Sequence, residues 1–453
     1  MRFNRLPLGL VICVFAWPHV CSAQAQAPPG DSPAPLLKLD EAVSIALANN
    51  RLVKISSLEA QKYEFRVSTA RSRRLPEFQF AMLGGELLQP FNFTIPPGVF
   101  GTYPGIGPIP AAKSEIHTPA VFTTYMTAFA DQPLLQQYKI GLGIRATELG
   151  RDIAREDVRA ERQKIAAEVR TTYFNLVAAQ ASVDAAREAV KTLEEAQRTT
   201  AQYEAEKTVL RADALDVDAR LAKARYELSV AENGMATQQE ALNQRLGRDV
   251  GTPFRVDPMP EESTSDLNLE SARQEARANR PENRQAQLKE KQAGYDLRLA
   301  KAEYIPDLSI HLVYQGITNV QVLPANVTTA GFLLTWEPFD WGRKRNTIRE
   351  KANEVQQARN GVGETESQID VEVGARYRKW REAYLLLQAS RTAHEAAVEQ
   401  LRVTGNQYKE QAALLKDFLQ AQARSSETNS DYQHALSSYW SALAELRKAM
   451  GEE

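Results

Sequence analysis

The stretch that decides the fold is LDEAVSIALANN, residues 39–50, which returns in altered form as LESARQEARANR, residues 269–280. The two copies lie 230 residues apart, and the sequence LPEF at residues 75–78 returns at the same offset as IPDL at residues 305–308. Similar segments at a fixed offset are the signature of a repeat architecture. The sequence therefore predicts a tandem duplication.

Farther along the chain the offset falls to 205 residues, since Pro133 corresponds to Pro338 and Tyr203 to Tyr408. The first half therefore carries 25 additional residues, which fall within residues 84–119. This stretch is rich in proline, glycine and aromatic residues, and its composition predicts a long irregular loop.

The duplication divides the chain into a first repeat at residues 39–251 and a second at residues 269–453. Residues 252–268 contain several prolines and read as an extended linker. Residues 26–38 remain as an N-terminal extension ahead of the first repeat.

Each half has the same order of expected elements, two helices, two strands and two further helices. The first short helix is expected to begin with Asp40 as its N-cap. After each Leu-Pro or Ile-Pro junction the apolar residues alternate, which is typical of strands. We expect strands near residues 77–83, 121–130, 307–314 and 328–337. We expect the later helices at residues 137–203, 213–247, 342–408 and 417–450.

The length of the third helix constrains the architecture. A helix of about 66 residues is roughly 100 Å long, several times the diameter of an ordinary domain. The helix before the strands and the helix after the long one together reach a similar length. We therefore expect a long helix antiparallel to two shorter helices stacked end to end. The strands lie at one end and residues 204–212 at the other. A solvated coiled coil would explain the helices equally well, but not the strands.

The amino terminus has the features of a secretory signal at residues 1–25. Arg2 and Arg5 precede an apolar stretch, and Ala23 and Ala25 provide a cleavage site. Acylation of Cys21 is the alternative. Both cysteines of the chain lie in this segment, so the mature protein has no thiol for a disulfide or metal site.

The remaining composition excludes several classes of protein. Removing the two signal arginines from 55 basic residues leaves 53 against 57 acidic ones, a net charge of −4, which does not favour nucleic acid as a partner. No apolar run of about eighteen residues follows the signal, so no membrane-spanning helix is expected. An exported chain of this kind is periplasmic, secreted or built into an outer-membrane β-barrel. Four strands cannot close a barrel alone, so several chains would have to contribute.

The sequence resembles the TolC-like outer membrane efflux protein family over almost the whole mature chain. The resemblance rests on the duplicated starts, the two proline junctions and a tip segment running from tyrosine to aspartate. Tyr408, Asp417 and Leu419 fit that segment in the second copy. Tyr203 and Asp213 fit it in the first, with one residue inserted.

The resemblance implies a mainly α fold with a small β part. Two tandem repeats of long antiparallel helices would form an α-barrel, and four strands per chain would contribute to a trimeric, 12-stranded outer-membrane β-barrel. It also implies a homotrimer in outer-membrane lipid that extends into the periplasm. A periplasmic adaptor and an inner-membrane pump would be its partners. The cargo is left open between drugs, metals and secreted proteins, and a soluble periplasmic coiled-coil scaffold is the alternative function.

No catalytic or cofactor site is expected. Motifs of nucleophilic hydrolases, phosphate loops and zinc proteases are missing from the sequence. The four histidines outside the signal, His117, His311, His394 and His434, lack the spacing of metal ligands. We therefore expect a passive duct that draws its energy from a separate pump, and not an enzyme.

The best candidate site is the tip farthest from the strands. Asp213 and Asp216 lie three residues apart, so they share one helical face. Asp417 occupies the matching place in the second half, followed by Gln420. In a trimer these residues would form polar rings that favour cations, a periplasmic gate. The alternative is that Asp213 and Asp417 are helix N-caps, acidic first-turn residues matched to the helix dipole.

Two further sets of residues are singled out. Around the tip, candidates for adaptor contact are Lys207, Thr208, Val209, Leu414 and Leu415. The expected junctions between helices and strands are Pro76, Pro306, Pro133 and Pro338.

Overall fold

A computed structural model describes residues 35–86, 88–118, 121–206, 210–258, 267–319, 324–410 and 412–453. The predicted signal at residues 1–25 lies outside these residues. So do positions 26–34 of the predicted N-terminal segment and positions 259–266 of the predicted linker.

The first repeat contains four helices and, between the second and third of them, strands. The short helix α1 (Leu39–Asn49) is followed directly by α2 (Arg51–Ser72), strand β2 (Glu77–Glu86) and, farther on, strand β7 (Phe122–Pro133). The long helix α3 (Gln136–Ala205) and the helix α4 (Arg211–Leu246) complete the repeat. At 1.5 Å per residue, the 70 residues of α3 extend for roughly 105 Å.

The second repeat has the same order of elements. Its helices before the strands are α5 (Leu269–Asn279) and α6 (Pro281–Ala302), and Pro281 occupies the favoured first position of α6. Strands β9 (Asp307–Ile317) and β10 (Asn326–Thr335) lead to the long helix α7 (Arg343–Lys409) and to α8 (Leu415–Met450). The fold is mainly α with a small β part, arranged as two tandem repeats, as predicted.

Four strands form one antiparallel sheet in the order β10-β9-β7-β2. The helices below it follow the same order, since α7 contacts α6 and α8, both of these contact α3, and α3 contacts α2 and α4. Each strand therefore lies over the helix that precedes or follows it in the chain. Sheet and helical layer end at the same two edges, one at β10 and α7, the other at β2 and α2.

The predicted stacking of the shorter helices is visible at two glycines. Gly247 ends α4 in a left-handed conformation (φ 71°), and a Cβ there would lie 2.6 Å from the carbonyl oxygen of Asn49. Gly451 ends α8 with φ 90°, and its Cβ would lie 2.9 Å from the carbonyl carbon of Asn279. In each repeat the last helix therefore abuts the break between the first two.

The predicted irregular loop at residues 84–119 is wrong in part. Strand β2 continues to Glu86, and β3 (Phe91–Ile95) pairs antiparallel with β6 (Ser114–Thr118). A smaller pair, β4 (Thr102–Tyr103) with β5 (Gly107–Pro108), is nested inside it. We call this hairpin at residues 88–118 the extension. Its pairing joins residues between 19 and 27 positions apart, which a search for local periodicity does not detect.

Three further features bear on the predictions. Asp40 is not the N-cap of α1, because Lys38 occupies that position and Asp40 lies in the first turn. The N-terminal strand β1 (Leu36–Leu37) pairs in parallel with β8 (Arg255–Val256), so residues before the first repeat and after it lie side by side. Among the described residues, no helix combines the length and the apolar character needed to span a membrane.

Candidate functional site

The tip of the molecule lies where the long helices turn back, at the end opposite the sheet. Helix α3 ends at Ala205 and α4 begins at Arg211, while α7 ends at Lys409 and α8 begins at Leu415. Three of the predicted adaptor-contact residues, Lys207, Thr208 and Val209, lie outside the described residues.

The two tips are packed together by one apolar cluster. Leu193 and Ala196 of α3 and Val217 and Leu221 of α4 are buried against Leu419 of α8. Leu415 and Phe418, from the first turn of α8, pack on the same cluster. Because the cluster joins helices of both repeats, the tip is one structural unit.

Aromatic side chains extend this cluster toward the turn. The Tyr408 ring is 7% exposed, lies 5.4 Å from the Phe418 ring and is stacked on it. Its hydroxyl is 3.3 Å from the Thr200 hydroxyl, and the Tyr203 ring lies 6.4 Å away at a steep angle. In the sequence both tyrosines mark the duplication and the start of the tip segment, without indicating a contact between them. Their recurrence at matching positions is the signal that could have indicated that they meet.

Asp213 and Asp417 are not N-caps, but they are acidic residues of the first turn, the other part of the alternative raised above. The N-cap positions are Leu210 and Leu414, and both aspartates are the third residue of their helix. The Asp213 carboxylate accepts a hydrogen bond from the Leu210 backbone N–H at 3.3 Å, so it closes the turn from inside the helix. First-turn carboxylates are also stabilised by the helix dipole.

The other gate candidates differ in how they are held. Asp216 forms an ion pair with Arg220 one turn later, 3.1 Å between Oδ2 and Nε. Asp417 and Gln420 are exposed on α8, next to the buried Leu419. No other described residue donates a hydrogen bond to the Asp417 side chain.

The two remaining adaptor-contact candidates have different surroundings. Leu414 is 69% exposed at the very start of α8, whereas Leu415 packs partly against the tip cluster. Above the tip, a cavity of about 460 Å³ opens between α3, α4 and α8, lined in part by Ala185, Ala186 and Ala189. Small side chains on α3 thus line a groove here.

The four junction prolines mark changes between helix and strand. Pro76 and Pro306 stand immediately before β2 and β9, and Pro133 is the last residue of β7. Pro338 lies in the irregular segment between β10 and α7. The turns before the first two are alike, because Leu75 N–H donates to Ser72 and Ile305 N–H to Ala302, each at 2.9 Å.

Three of the four histidines have different partners in the fold. His311 contacts Asp131 across β9 and β7, His117 lies 2.7 Å from the Asn92 side-chain oxygen in the extension, and His394 stacks on Tyr432. In the described part of the chain, no group of three potential ligands is arranged to hold a metal ion.

The architecture consists of two duplicated helical rods under one small sheet. The sequence profile of the outer membrane efflux protein family matches residues 42–248 and 272–452. The chain belongs to this family. The two matched segments correspond to the two repeats, each counted from its first short helix to its last long one.

Several solved structures are similar over almost their full length. A membrane protein from Pseudomonas aeruginosa is 18% identical, with a TM-score of 0.73 over 91% of this chain and 90% of that one. The Campylobacter jejuni CmeC outer membrane channel is 16% identical, with a TM-score of 0.73 over 91% and 85%. The Neisseria gonorrhoeae MtrE outer membrane channel, solved in its open state, is 18% identical, with a TM-score of 0.68 over 91% and 89%. No curated protein sequence matches the chain.

Family membership gives the function in outline. The protein is an outer-membrane efflux protein, an exit duct for efflux, and a soluble periplasmic scaffold is not favoured. The family consists of efflux proteins and is not a family of enzymes.

Proposed function

We propose that three copies of the chain close into one passive duct, with a twelve-stranded β-barrel in the outer membrane and an α-barrel below it in the periplasm. The observation that carries this proposal is the matched order of strands and helices. Because sheet and helical layer share their two open edges, the next copy meets both layers at once. β10 and α7 of one copy then adjoin β2 and α2 of the next.

Exposed apolar side chains on both edges support this closure. On α2, Leu52, Ile55, Leu58 and Phe65 are between 49 and 73% exposed in the single chain. Exposed apolar residues on α7 are Val371, Leu385, Leu386 and Val398. An unpaired sheet edge in lipid would also leave backbone groups without hydrogen bonds, at a cost of several kcal/mol each. Association of the copies covers the exposed apolar side chains and pairs the open sheet edges.

Native mass spectrometry of protein extracted from outer membranes tests the assembly. We expect a species with three times the chain mass. Phe65→Asp on the exposed edge of α2 should weaken the three-chain species. Its matched control, Asp184→Asn at an exposed position on α3, should not. A stable monomer as the dominant membrane form would contradict the proposal, and recovery of the protein in an osmotic-shock supernatant would favour the scaffold.

The orientation follows from the position of the extension. It joins two strands at the end opposite the helices, so we infer that it faces the cell exterior. Gly105 lies in the turn between β4 and β5, with φ 81° and no atom within 4 Å of an added Cβ. An epitope inserted there should be labelled on intact cells. Labelling only after permeabilisation would mean that the orientation is inverted.

For the tip we propose a gate. In a trimer, Asp213, Asp216, Asp417 and Gln420 would each occur three times around the opening, where repeated carboxylates favour cations. The double variant Asp213→Asn with Asp417→Asn preserves side-chain shape and the acceptor for the Leu210 N–H while it removes six charges. We expect conductance in planar bilayers to lose cation selectivity and block by multivalent cations.

A control for the gate removes the same number of charges elsewhere. Asp184→Asn with Glu188→Gln changes two exposed, ion-paired residues on α3. If the control and the tip variant alter selectivity equally, or if neither does, the tip aspartates are not the gate.

The partners and the cargo complete the proposal. A periplasmic adaptor would contact the tip residues 207–209, Leu414 and Leu415, and an inner-membrane pump would supply the energy. A signal peptide at residues 1–25 would direct export. The cargo class, drugs, metals or proteins, can be assigned by deleting the gene and measuring which of these accumulates in the cell.

A further inference from the structure

A second cavity, also of about 460 Å³, lies between the two repeats at the level of the middle of α3. Its walls come from three helices, α3 of the first repeat and α7 and α8 of the second. Sites for small molecules typically have volumes of about 300–1,000 Å³. The cavity is therefore large enough for a small organic molecule.

The wall of this cavity is mostly polar. The side chains that carry the argument are Thr171, Asn175, Arg376, Lys379, Ser441 and Glu445. Each helix supplies two of them, three or four residues apart and therefore on one helical face. On α8 this face is not the core face, because Ser441 lies about 200° around the helix from Tyr439, which packs in the core with α5.

Two hydroxyls in the wall lack the hydrogen bonds that buried hydroxyls normally form. The side-chain oxygens of Thr171 and Ser441 are buried, and neither has a hydrogen-bond partner among the described residues. Thr172 shows the usual arrangement, since its hydroxyl donates to the Glu168 carbonyl oxygen at 2.8 Å. Both unpaired residues line the cavity, so a rotation about χ1 turns their hydroxyls toward it. An unpaired buried hydroxyl is costly, and a bound molecule would supply the missing partner.

The charged side chains leave donors unused as well. The Arg376 guanidinium is 3.6 Å from the Glu445 carboxylate, which is too long for a hydrogen bond. No described residue forms an ion pair or a hydrogen bond with the Lys379 ammonium. Two cations against one carboxylate give the wall a net positive charge.

We propose that this cavity binds a small organic anion through its carboxylate or phosphate group. A guanidinium presents a planar pair of N–H donors that matches either group, and the Lys379 ammonium adds a second positive charge. The Asn175 side-chain oxygen accepts a hydrogen bond from Ser437 at 3.0 Å, which leaves the Asn175 amide N–H groups as further donors. The site lies within one chain, so it goes beyond the proposed duct and does not depend on closure of the barrel.

Isothermal titration calorimetry on the full chain in detergent tests the site. The probes are lactate for the carboxylate, glycerol 3-phosphate for the phosphate, and glycerol as the matched neutral control. We expect an anion to bind, more weakly as ionic strength rises, and glycerol not to bind. The anion that binds more tightly identifies the group. If neither anion binds, the cavity holds only water, and the proposal is wrong. Equal affinities for glycerol and glycerol 3-phosphate would also overturn it.

Single charge changes around the cavity locate the site. Lys379→Gln should weaken anion binding about tenfold, because a hydrogen bond to a charged group is lost. Glu445→Gln should strengthen it about threefold, because the opposing charge is removed. The matched control is Arg381→Gln, at an exposed position of α7 outside the cavity, and it should leave the affinity unchanged. An equal loss in the control and in Lys379→Gln would mean that the anion responds to general surface charge and not to this cavity.

A further variant separates binding from folding. Thr171→Val with Ser441→Ala removes both unpaired hydroxyls with little change of shape. We expect the affinity for the anion to fall about tenfold. The unfolding temperature without ligand, followed by circular dichroism, should not fall, because the folded chain loses no hydrogen bond. A lower unfolding temperature with an unchanged affinity would show that these hydroxyls serve the fold and not a ligand.

Discussion

The two repeats build the same helix junction with different chemistry. In the first, α1 breaks at Asn50 before α2 begins, and in the second α5 breaks at Arg280 before α6. Both breaks are abutted by a left-handed glycine that ends a long helix, Gly247 in one case and Gly451 in the other. The backbone geometry is thus shared, and the side chain at the break differs.

The first junction is held by a neutral amide. The Asn50 side-chain oxygen accepts a hydrogen bond from the Leu52 N–H, and its amide nitrogen donates to the Arg245 carbonyl oxygen, both at 2.8 Å. One residue therefore caps α2 and ties it to the end of α4. Arg245 itself is paired with Glu168 of α3.

The second junction is held by charge. Arg280, with a side chain 11% exposed, pairs with Glu282 at the start of α6 and with Glu372 of α7. Despite its burial, these carboxylates raise the pKa of the guanidinium above its usual value. Nearby, Arg277 pairs with Asp370. The comparison indicates that the glycine sets the junction, whereas the side chains that hold it differ between the repeats.

The largest effect is expected from adding a methyl group at the shared glycine. Gly247→Ala forces a left-handed alanine, about 1–2 kcal/mol, and a steric overlap with Asn49, for a total cost of about 2–4 kcal/mol. Gly451→Ala meets Asn279 at a longer distance, so we expect about 1–2 kcal/mol. The effects of both variants can be measured as a change in the trimer dissociation temperature and as hydrogen exchange in α1 and α5.

Gly294→Ala is the control for these variants. It lies within α6, where an added Cβ has no neighbour within 4 Å, and alanine favours a helix by up to about 1 kcal/mol. We expect no loss of stability there. If all three variants behave alike, the close contact at the junction is not what requires glycine.

A smaller effect is expected from exchanging the side chains. Arg280→Asn places the residue of the first junction in the second, where it cannot reach both carboxylates, and we expect a loss of about 1–3 kcal/mol. Asn50→Ala removes one cap and one interhelical hydrogen bond, for about 1–2 kcal/mol. Adding Glu372→Gln to Arg280→Asn should recover part of the loss. An unchanged loss would mean that the unpaired Glu372 charge is not the cause.

The fold could be predicted because its signals are long or repeated. Seventy residues without proline in α3 and the fixed offset between LPEF and IPDL leave few alternatives. The pairing of β3 with β6 could not be predicted, because it depends on contacts across the extension. The roles of Tyr408 and Arg280 depend on packing between α3 and α8 and between α6 and α7. Local sequence identified the aspartates of the tip, but the structure places Asp213 inside the first helical turn and not at the N-cap.

The smallest expected effect is a difference between the two junctions in how their stability responds to pH. Burial opposes ionisation of Glu282, yet hydrogen bonds from Arg280 hold its pKa below the usual range, and a hydrogen bond from Arg277 does the same for Asp370. A carboxyl with a lowered folded-state pKa contributes stability above its unfolded pKa of about 4, and this contribution is lost as pH falls through the folded value.

Acid should therefore loosen the second junction first, because Asn50 does not titrate. Between pH 5 and pH 3 (about one unit either side of the unfolded pKa), we expect exchange of α5 and α6 amides, corrected for the intrinsic rate, to rise about twofold relative to α1 and α2. Glu282→Gln with Asp370→Asn should reduce the pH dependence of that ratio. If α1 and α2 loosen first, the Glu168 pair with Arg245 is the acid-sensitive element, and the neutral amide does not make the first junction independent of pH.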